Sequence, residues 1–424
     1  MQTIQVDDRK PIFSWCPNIE QGALDQMMEL AKLPFVEHCA LMPDAHLGMS
    51  MPIGGVLATN SVVIPNAVGV DIGCGLACFK TNLKLEDIKG KEELLHHAVE
   101  RSIPMGFSHN NKKRVMEIEQ KYQDKISYAF NKHLNGLDAP AIVAIEAFYA
   151  QMGTLGGGNH FLECQADEED SIYFMVHSGS RNIGKKVCDH YNKVAEDLNN
   201  LWYSRTSIPF LPITSDEGKQ YIGWMNMALQ FAYYNRKVML DEIWRNLVHY
   251  FPNIVNTTGM DAEMAIARTE GILNIHHNYA VIENHFGRNV WVHRKGATRA
   301  SDQTVGIIPG SMGSFSYIVK GLGNKDSLNS CSHGAGRRMG RNDFNKAYNT
   351  VEKLKEIEDT MKGITHTKFG KAVSRKGKDL GMLDISEAPQ AYKDIDEVMS
   401  NQQDLVTPIA KLRPIINWKD TGEE

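Results

Sequence analysis

Residues 61–75 read SVVIPNAVGVDIGCG. Two short apolar runs are punctuated by Pro65, Gly69, Gly73 and Gly75, a pattern expected of short strands broken by tight turns. The same stretch carries a carboxylate, Asp71, and a thiol, Cys74. Taken alone, DIGCG reads as a strand followed by a tight turn, and Cys74 as a small core residue.

Outward from this stretch the texture alternates. GGVLAT at 54–59 continues the strand-and-turn pattern upstream. Residues 84–148 differ: LEDIKGKEELLHHAVERS and KKRVMEIEQKYQDKISYAFNKHL predict charged, exposed helices. A second glycine-rich stretch, 153–187, contains the strand-like run SIYFMVHSGS. At 216–250, apolar Tyr221, Met225, Leu229, Ala232, Met239 and Ile243 recur at helical spacing and predict a long amphipathic helix with a core-facing stripe. A third glycine-rich tract covers 287–341. Polar loops alternate with these tracts instead of separating two blocks, so one domain spanning 1–424 is expected, with helical excursions at about 84–148 and 216–250.

The bulk properties exclude more than they identify. The chain has 424 residues, 42% hydrophobic and 23% charged, as in globular proteins. Its N-terminus lacks a signal-peptide core, and no apolar run approaches the ~18 residues of a membrane span. Seven scattered cysteines argue against a disulfide framework, so a cytoplasmic setting is expected and no membrane partner. A net charge of −5 means that any polyanion must meet a local basic surface.

Four segments hold residues of metal-binding type: VGVDIGCG (Asp71, Cys74), GGGNHFLE (Asn159, His160, Glu163), MVHSGSRN (His177, Ser178, Ser180, Arg181) and NIHHNYA (His276, His277, Asn278). Together they suit a borderline divalent ion, although a lone histidine is more often a satisfied core residue. GTLGGGNH has the glycines of an anion cradle but lacks the Lys-Ser/Thr of a P-loop. IIPGSMGSFSYIVKG at 307–321 offers further anion donors. VHRKGATRA gathers His293, Arg294, Lys295 and Arg299, either for phosphate or as a solvated surface. No Asp-Gly pair is present, which excludes the Lys-x-Asp-Gly chemistry of lysine-dependent nucleotidyltransferases. In NSCSHGAGRRMGR, 329–341, His333 reads equally as a ligand, an acid–base group, a nucleophile or a turn residue before a basic helix.

In order, MPDAHLG (42–48), VGVDIGCG (68–75), GTLGGGNHFLE (153–163), HSGSR (177–181), HHNYA (276–280), RKGA (294–297), IIPGSMG (307–313) and CSHGAGR (331–337) resemble the RtcB family of RNA ligases, and LRPIINWK resembles its closing segment. The resemblance spans essentially the whole chain. It implies an α+β fold, a single large domain of mixed β-sheets around a dinuclear metal site, flanked by helices. It implies GTP and two Mn²⁺ ions as cofactors, with RNA bearing 2′,3′-cyclic phosphate or 3′-phosphate and 5′-hydroxyl ends as substrate. An accessory activator protein is left open.

Carried onto this sequence, the resemblance makes His333 the guanylylated nucleophile. Asp71, Cys74 and His160 would hold one metal, and Cys74, His177 and His277 the other. The guanylate pocket would use Asn159, His160, Phe161, Leu162, Glu163, His277 and Asn278. Pro309, Gly310, Ser311, Met312 and Ser316 would join it, with Gly334, Ala335, Gly336 and Lys419. Arg181 is the candidate for the RNA 3′-phosphate. Asp44 and His46 are expected near the metals, as support or in the chemistry. Two alternatives are a metal-dependent cyclic phosphodiesterase that does not ligate and a non-catalytic RNA-end-binding component.

Overall fold

The structure is a computed structural model describing residues 1–7, 9–138, 140–201, 208–252, 271–373 and 379–420. The fold is α+β. One sheet has six strands in the order Gln2–Ile4, Ile12–Ser14, Val36–His46, Ile53–Thr59, Arg288–Lys295, Asn278–His285. A second, larger sheet runs Leu273–His276, Gly75–Lys84, Ser171–Ser178, Phe161–Ala166, Val406–Trp418, Ser316–Gly321, Val305–Ile308, with Thr365–His366 joining Val406–Trp418 in parallel, and short two-stranded pairings complete the fold. This second sheet curls, so that Ile275 on its first strand and Ile307 on its last share one apolar cluster with Leu76, Phe161 and Leu412.

Alternation along the strands builds the layers. In Val36–His46, Cys39 and Leu41 pack with Met27 and Leu30 of the helix Gln21–Ala31, while Ala40 and Met42 face Tyr317 and Val319 of the curled sheet. In Phe161–Ala166, Leu162 and Cys164 pack with Met239 and Ile243 of the helix Asp216–Tyr250. Phe161 and Glu163 face the opposite way, into the curl.

The helix predicted at 216–250 spans Asp216–Tyr250, capped by Ser215 Oγ on the Gly218 amide. Its stripe is buried at Tyr221, Met225, Ala232, Met239 and Ile243, with Leu229 partly buried. The charged excursion forms helices Glu92–Ser102 and Lys112–Leu134. Ile118, Tyr122, Ile126 and Ala129 of the second share a core with Phe231.

Two sequence expectations change. DIGCG is a turn followed by a strand, the reverse of the expected order, because Pro65 starts a helical turn, Pro65–Val68, and Gly75 opens the strand. VHRKGATRA is neither a solvated surface nor a phosphate cradle. His293, Arg294 and Lys295 lie buried on Arg288–Lys295, and only Arg299 is exposed. The Arg294 guanidinium pairs with Glu283 at 2.6 Å and donates to Leu328 O, and Lys295 Nζ donates to Met49 O and Asn66 O.

Candidate metal centre and nucleotide cleft

Four elements of the curled sheet deliver the ligand-type side chains to one place. Cys74 ends the turn before Gly75–Lys84, His177 lies in Ser171–Ser178, His160 precedes Phe161–Ala166, and His277 follows Leu273–His276. Close approach needs bare backbone at two glycines. A Cβ on Gly75 would stand 2.0 Å from Ile275 O, and one on Gly179 would stand 2.2 Å from Asp71 Oδ1.

Cys74 Sγ lies 3.3 Å from His177 Nε2 and 3.6 Å from His160 Nε2. His177 Nε2 is 3.2 Å from His277 Nε2, and His160 Nε2 is 3.0 Å from Asp71 Oδ2. Two donor sets result, Asp71–Cys74–His160 and Cys74–His177–His277, sharing the sulfur. Ligand bonds of about 2.0–2.3 Å put neighbouring donors roughly 3–4 Å apart, so both sets match the spacing of a metal site.

The tautomers support the same fit. His160 Nδ1 donates to Leu155 O at 2.8 Å and His177 Nδ1 to Asn159 O at 3.0 Å. Each Nε2 therefore turns a lone pair toward Cys74, where the thiol proton can satisfy one of the two and a cation could take both. Burial holds His177 and His277 well below the ordinary histidine range, hence neutral and able to ligate. Burial and the neighbouring Asp71 push the Cys74 thiol well up, so the thiolate forms when a cation shares the site. Thiolate and imidazole donors favour a late divalent ion over Mg²⁺.

His333 is stacked on this centre, its ring centroid 4.7 Å from that of His277. Its Nδ1 faces Asp44 Oδ2 at 2.6 Å, and the same oxygen accepts the His333 and Gly334 amides at 3.0 and 3.3 Å. Asp44 is fully buried. Nε2 has no hydrogen-bond partner among the described residues.

Beside His333 opens a cavity of about 210 Å³. Of the residues expected to hold a nucleotide, Asn159, Phe161, Glu163, Pro309, Gly310, Ser311, Met312, His333, Gly334, Ala335, Gly336 and Lys419 line it. The others stand apart from its wall. Leu162 packs into the core on the far face of its strand. Ser316 is buried, its Oγ bonded to Gln165 and the Gly310 amide. Asn278 braces the Asp71 turn, donating to Asp71 O and accepting the Gly296 amide. His160 and His277 belong to the donor sets.

The cleft floor is polar. Glu163 Oε1 accepts from Asn417 Nδ2 at 2.6 Å and its other oxygen from Gln165. Burial nevertheless pushes Glu163 up to about 8. Asn417 Oδ1 and Gln165 Oε1 are buried without partners among the described residues. Of these, Asn417 lines the cleft, and an unpartnered acceptor beside a carboxyl there suits a ligand edge rich in N–H donors. Lys419 Nζ sits 5.9 Å over the Phe161 ring and 3.0 Å from Glu387 Oε2. Burial would raise Glu387, but Lys419, Arg341 and Arg337 outweigh it and hold the carboxylate at about 2.

The arginines after His333 are thus partly accounted for: Arg337 pairs with Glu387 at 3.1 Å and donates to Ser386 O, whereas Arg338 is exposed. Arg181 holds φ 57° and donates to Gly106 O and Thr154 Oγ1, close enough to Asp71 to interact with it electrostatically. Sequence reasoning missed Glu387 and Tyr392, which line the cleft outside every quoted motif, and Asn417, which lies inside LRPIINWK beside the singled-out Lys419. It left the part played by Asp44 open.

A profile described as "tRNA-splicing ligase RtcB" matches residues 26–420. The chain is 36% identical to "RNA-splicing ligase RtcB" of Escherichia coli (strain K12), covering 96% of this chain and 97% of that one. It is 31% identical to "tRNA-splicing ligase RtcB" of Methanococcus maripaludis, covering 94% and 91%. With "RNA-splicing ligase RtcB homolog 1" of Entamoeba dispar the identity is 30%, covering 92% and 80%.

Proposed function

The chain belongs to the RtcB family and is an RNA ligase; from that premise we propose that it joins 2′,3′-cyclic phosphate or 3′-phosphate ends to 5′-hydroxyl ends, using GTP and two Mn²⁺ ions. The observation that carries this reading is His333, held by Asp44 with Nε2 unbonded, between the shared-thiol cluster and the cleft. All seven cysteines are unpaired, in keeping with a reducing, cytoplasmic setting. Among the described residues no helix is long and apolar enough to cross a membrane.

His333 Nε2 attacks the α-phosphorus of GTP: an N–P bond forms, the bond to pyrophosphate breaks, and Asp44 holds the Nδ1 proton. Next, an RNA 3′-phosphate oxygen attacks that phosphorus, which frees His333 and activates the 3′ end. The 5′-hydroxyl then attacks the activated phosphate and GMP leaves. The metals, when bound by Asp71, Cys74, His160, His177 and His277, would neutralise phosphate charge and activate a hydroxyl. Incubation of RNA carrying these ends with GTP and Mn²⁺ should yield joined product. Opening of the cyclic phosphate with no joining would make the protein an end-processing enzyme instead.

Glu163 gives a pH signature. Below about 8 it is neutral in the free protein, yet a carboxylate is needed to accept both guanine N1–H and N2–H. Binding therefore releases a proton below that pH, and GTP affinity should rise with pH by up to about tenfold per unit until it levels off. Calorimetric titration across this range checks it. Glu163→Gln should weaken GTP binding and flatten the Glu163-dependent part of the profile.

Arg181 is assigned to the RNA 3′-phosphate. Arg181→Ala should lower 3′-end activation by roughly 10–100-fold, the worth of one charge-assisted contact. Guanylylation of His333 should persist, and its loss would move Arg181 to the GTP step.

A further inference from the structure

Beneath the cluster runs the helix Asp216–Tyr250, and Arg236 in it is fully buried. A buried guanidinium ordinarily has a carboxylate partner, since burying an unpaired charge is costly. Arg236 makes no salt bridge among the described residues. Its Nη1 donates to Gly73 O at 2.9 Å and to Ser178 O at 2.8 Å. Its Nε donates to Asn274 Oδ1 at 2.8 Å and its Nη2 to His276 Nδ1 at 3.1 Å.

These acceptors come from three separate segments, and each segment abuts a ligand. Gly73 precedes Cys74, Ser178 follows His177, and His276 precedes His277. The preceding residue, Asn235, reaches the fourth. Its Oδ1 accepts the Gly153 and Thr154 amides at 2.7 and 3.1 Å, and its Nδ2 donates to Ser178 Oγ and Gly179 O. Leu155, next in that loop, is the carbonyl that fixes the His160 tautomer. Two consecutive residues on one helix thus bond to every segment that supplies a ligand.

Resting on the metal reading above, we propose that Arg236, seconded by Asn235, is the positioning residue of the metal centre. Its planar fork fixes the mutual placement of Cys74, His177 and His277, and its charge stands behind the anionic donors Asp71 and Cys74. A lysine keeps the charge but cannot reach four acceptors in one plane. A merely structural buried arginine would support folding without tuning the metal.

The test is titration of the full chain with Co²⁺, following the thiolate-to-cobalt absorption band and the ligand-field spectrum, with thermal unfolding in chelator run beside it. Arg236→Lys should weaken Co²⁺ binding about 10- to 100-fold, the usual cost of losing a partner that orients ligands, and should alter the ligand-field spectrum. Asn274→Ala, which removes one acceptor of the fork, should shift affinity in the same direction by less. Lys237→Met, which removes a buried pair with Asp241 on the same helix, should lower the unfolding temperature and leave the Co²⁺ titration unchanged. Wild-type binding and spectrum in Arg236→Lys would overturn the proposal. Should that variant fail to fold, an unchanged titration in Asn274→Ala would overturn it equally. Absence of a thiolate band in the wild type would instead overturn the metal reading on which it rests.

Discussion

Cys74→Ala is expected to abolish ligation and to disable both metal sets at once. Cys74 Sγ is the one atom the two donor sets share, so its removal leaves Asp71 with His160 and His177 with His277. Two donors in each set are too few for tight binding of a late divalent ion. Without the cation, the charge on a triphosphate is unscreened, a loss of several kcal/mol at the transition state and thus roughly a thousandfold or more in rate. Metal content after equilibrium dialysis against Mn²⁺, with ligation assayed on the same sample, measures both. Single-ligand variants such as His160→Ala should spare the other set, so only Cys74 should lower both together. Full metal content in Cys74→Ala would remove the thiolate from the centre.

The second large effect is expected at Asp44. Asp44→Asn keeps the size of the side chain but removes the charge facing His333 Nδ1, and an amide can donate to Nδ1 and present the wrong tautomer. In the serine-protease triad the corresponding change lowers turnover about 10⁴-fold, and a fall of roughly 10³–10⁴ in guanylylation is expected here on the same grounds. The Asp44 oxygen also holds the amides of His333 and Gly334, so an alanine should add disorder to the His333 loop. Metal content should be unchanged, because Asp44 belongs to neither donor set. Rapid-quench guanylylation beside metal analysis separates the two. Metal loss in Asp44→Asn would place it in the centre instead.

What the sequence disclosed follows from what is local in it. The 216–250 helix was legible because burial repeats at helical period, and Ser215 marks its start. DIGCG misled because short apolar runs with glycines fit turn-then-strand as well as strand-then-turn, and only pairing with Leu273–His276 and Ser171–Ser178 settles the order. VHRKGATRA misled because local charge says nothing about a distant partner, and Glu283 comes from the neighbouring strand of the sheet. The ligand types were visible as isolated segments, but their convergence was legible only through resemblance, since their spacing in sequence carries no geometry. Glu387 and Tyr392 gave no signal, because a cleft wall is assembled from segments without a shared pattern, and Asn417 stood unremarked inside LRPIINWK, where only Lys419 was singled out. Arg236 was hidden for the opposite reason: inside a long helix it reads as an ordinary solvated charge, and only its burial sets it apart.

A ligase working through His333 is expected to carry a covalent guanylate on that residue. Wild-type protein incubated with GTP labelled at the α-phosphate and Mn²⁺, then denatured, should retain label that is lost in acid and stable in base, as expected of a phosphoramidate. Peptide mapping should place it on His333, and His333→Ala should carry none while binding Mn²⁺ as the wild type does. Equal label on wild type and His333→Ala would rule out His333 as the guanylylated residue.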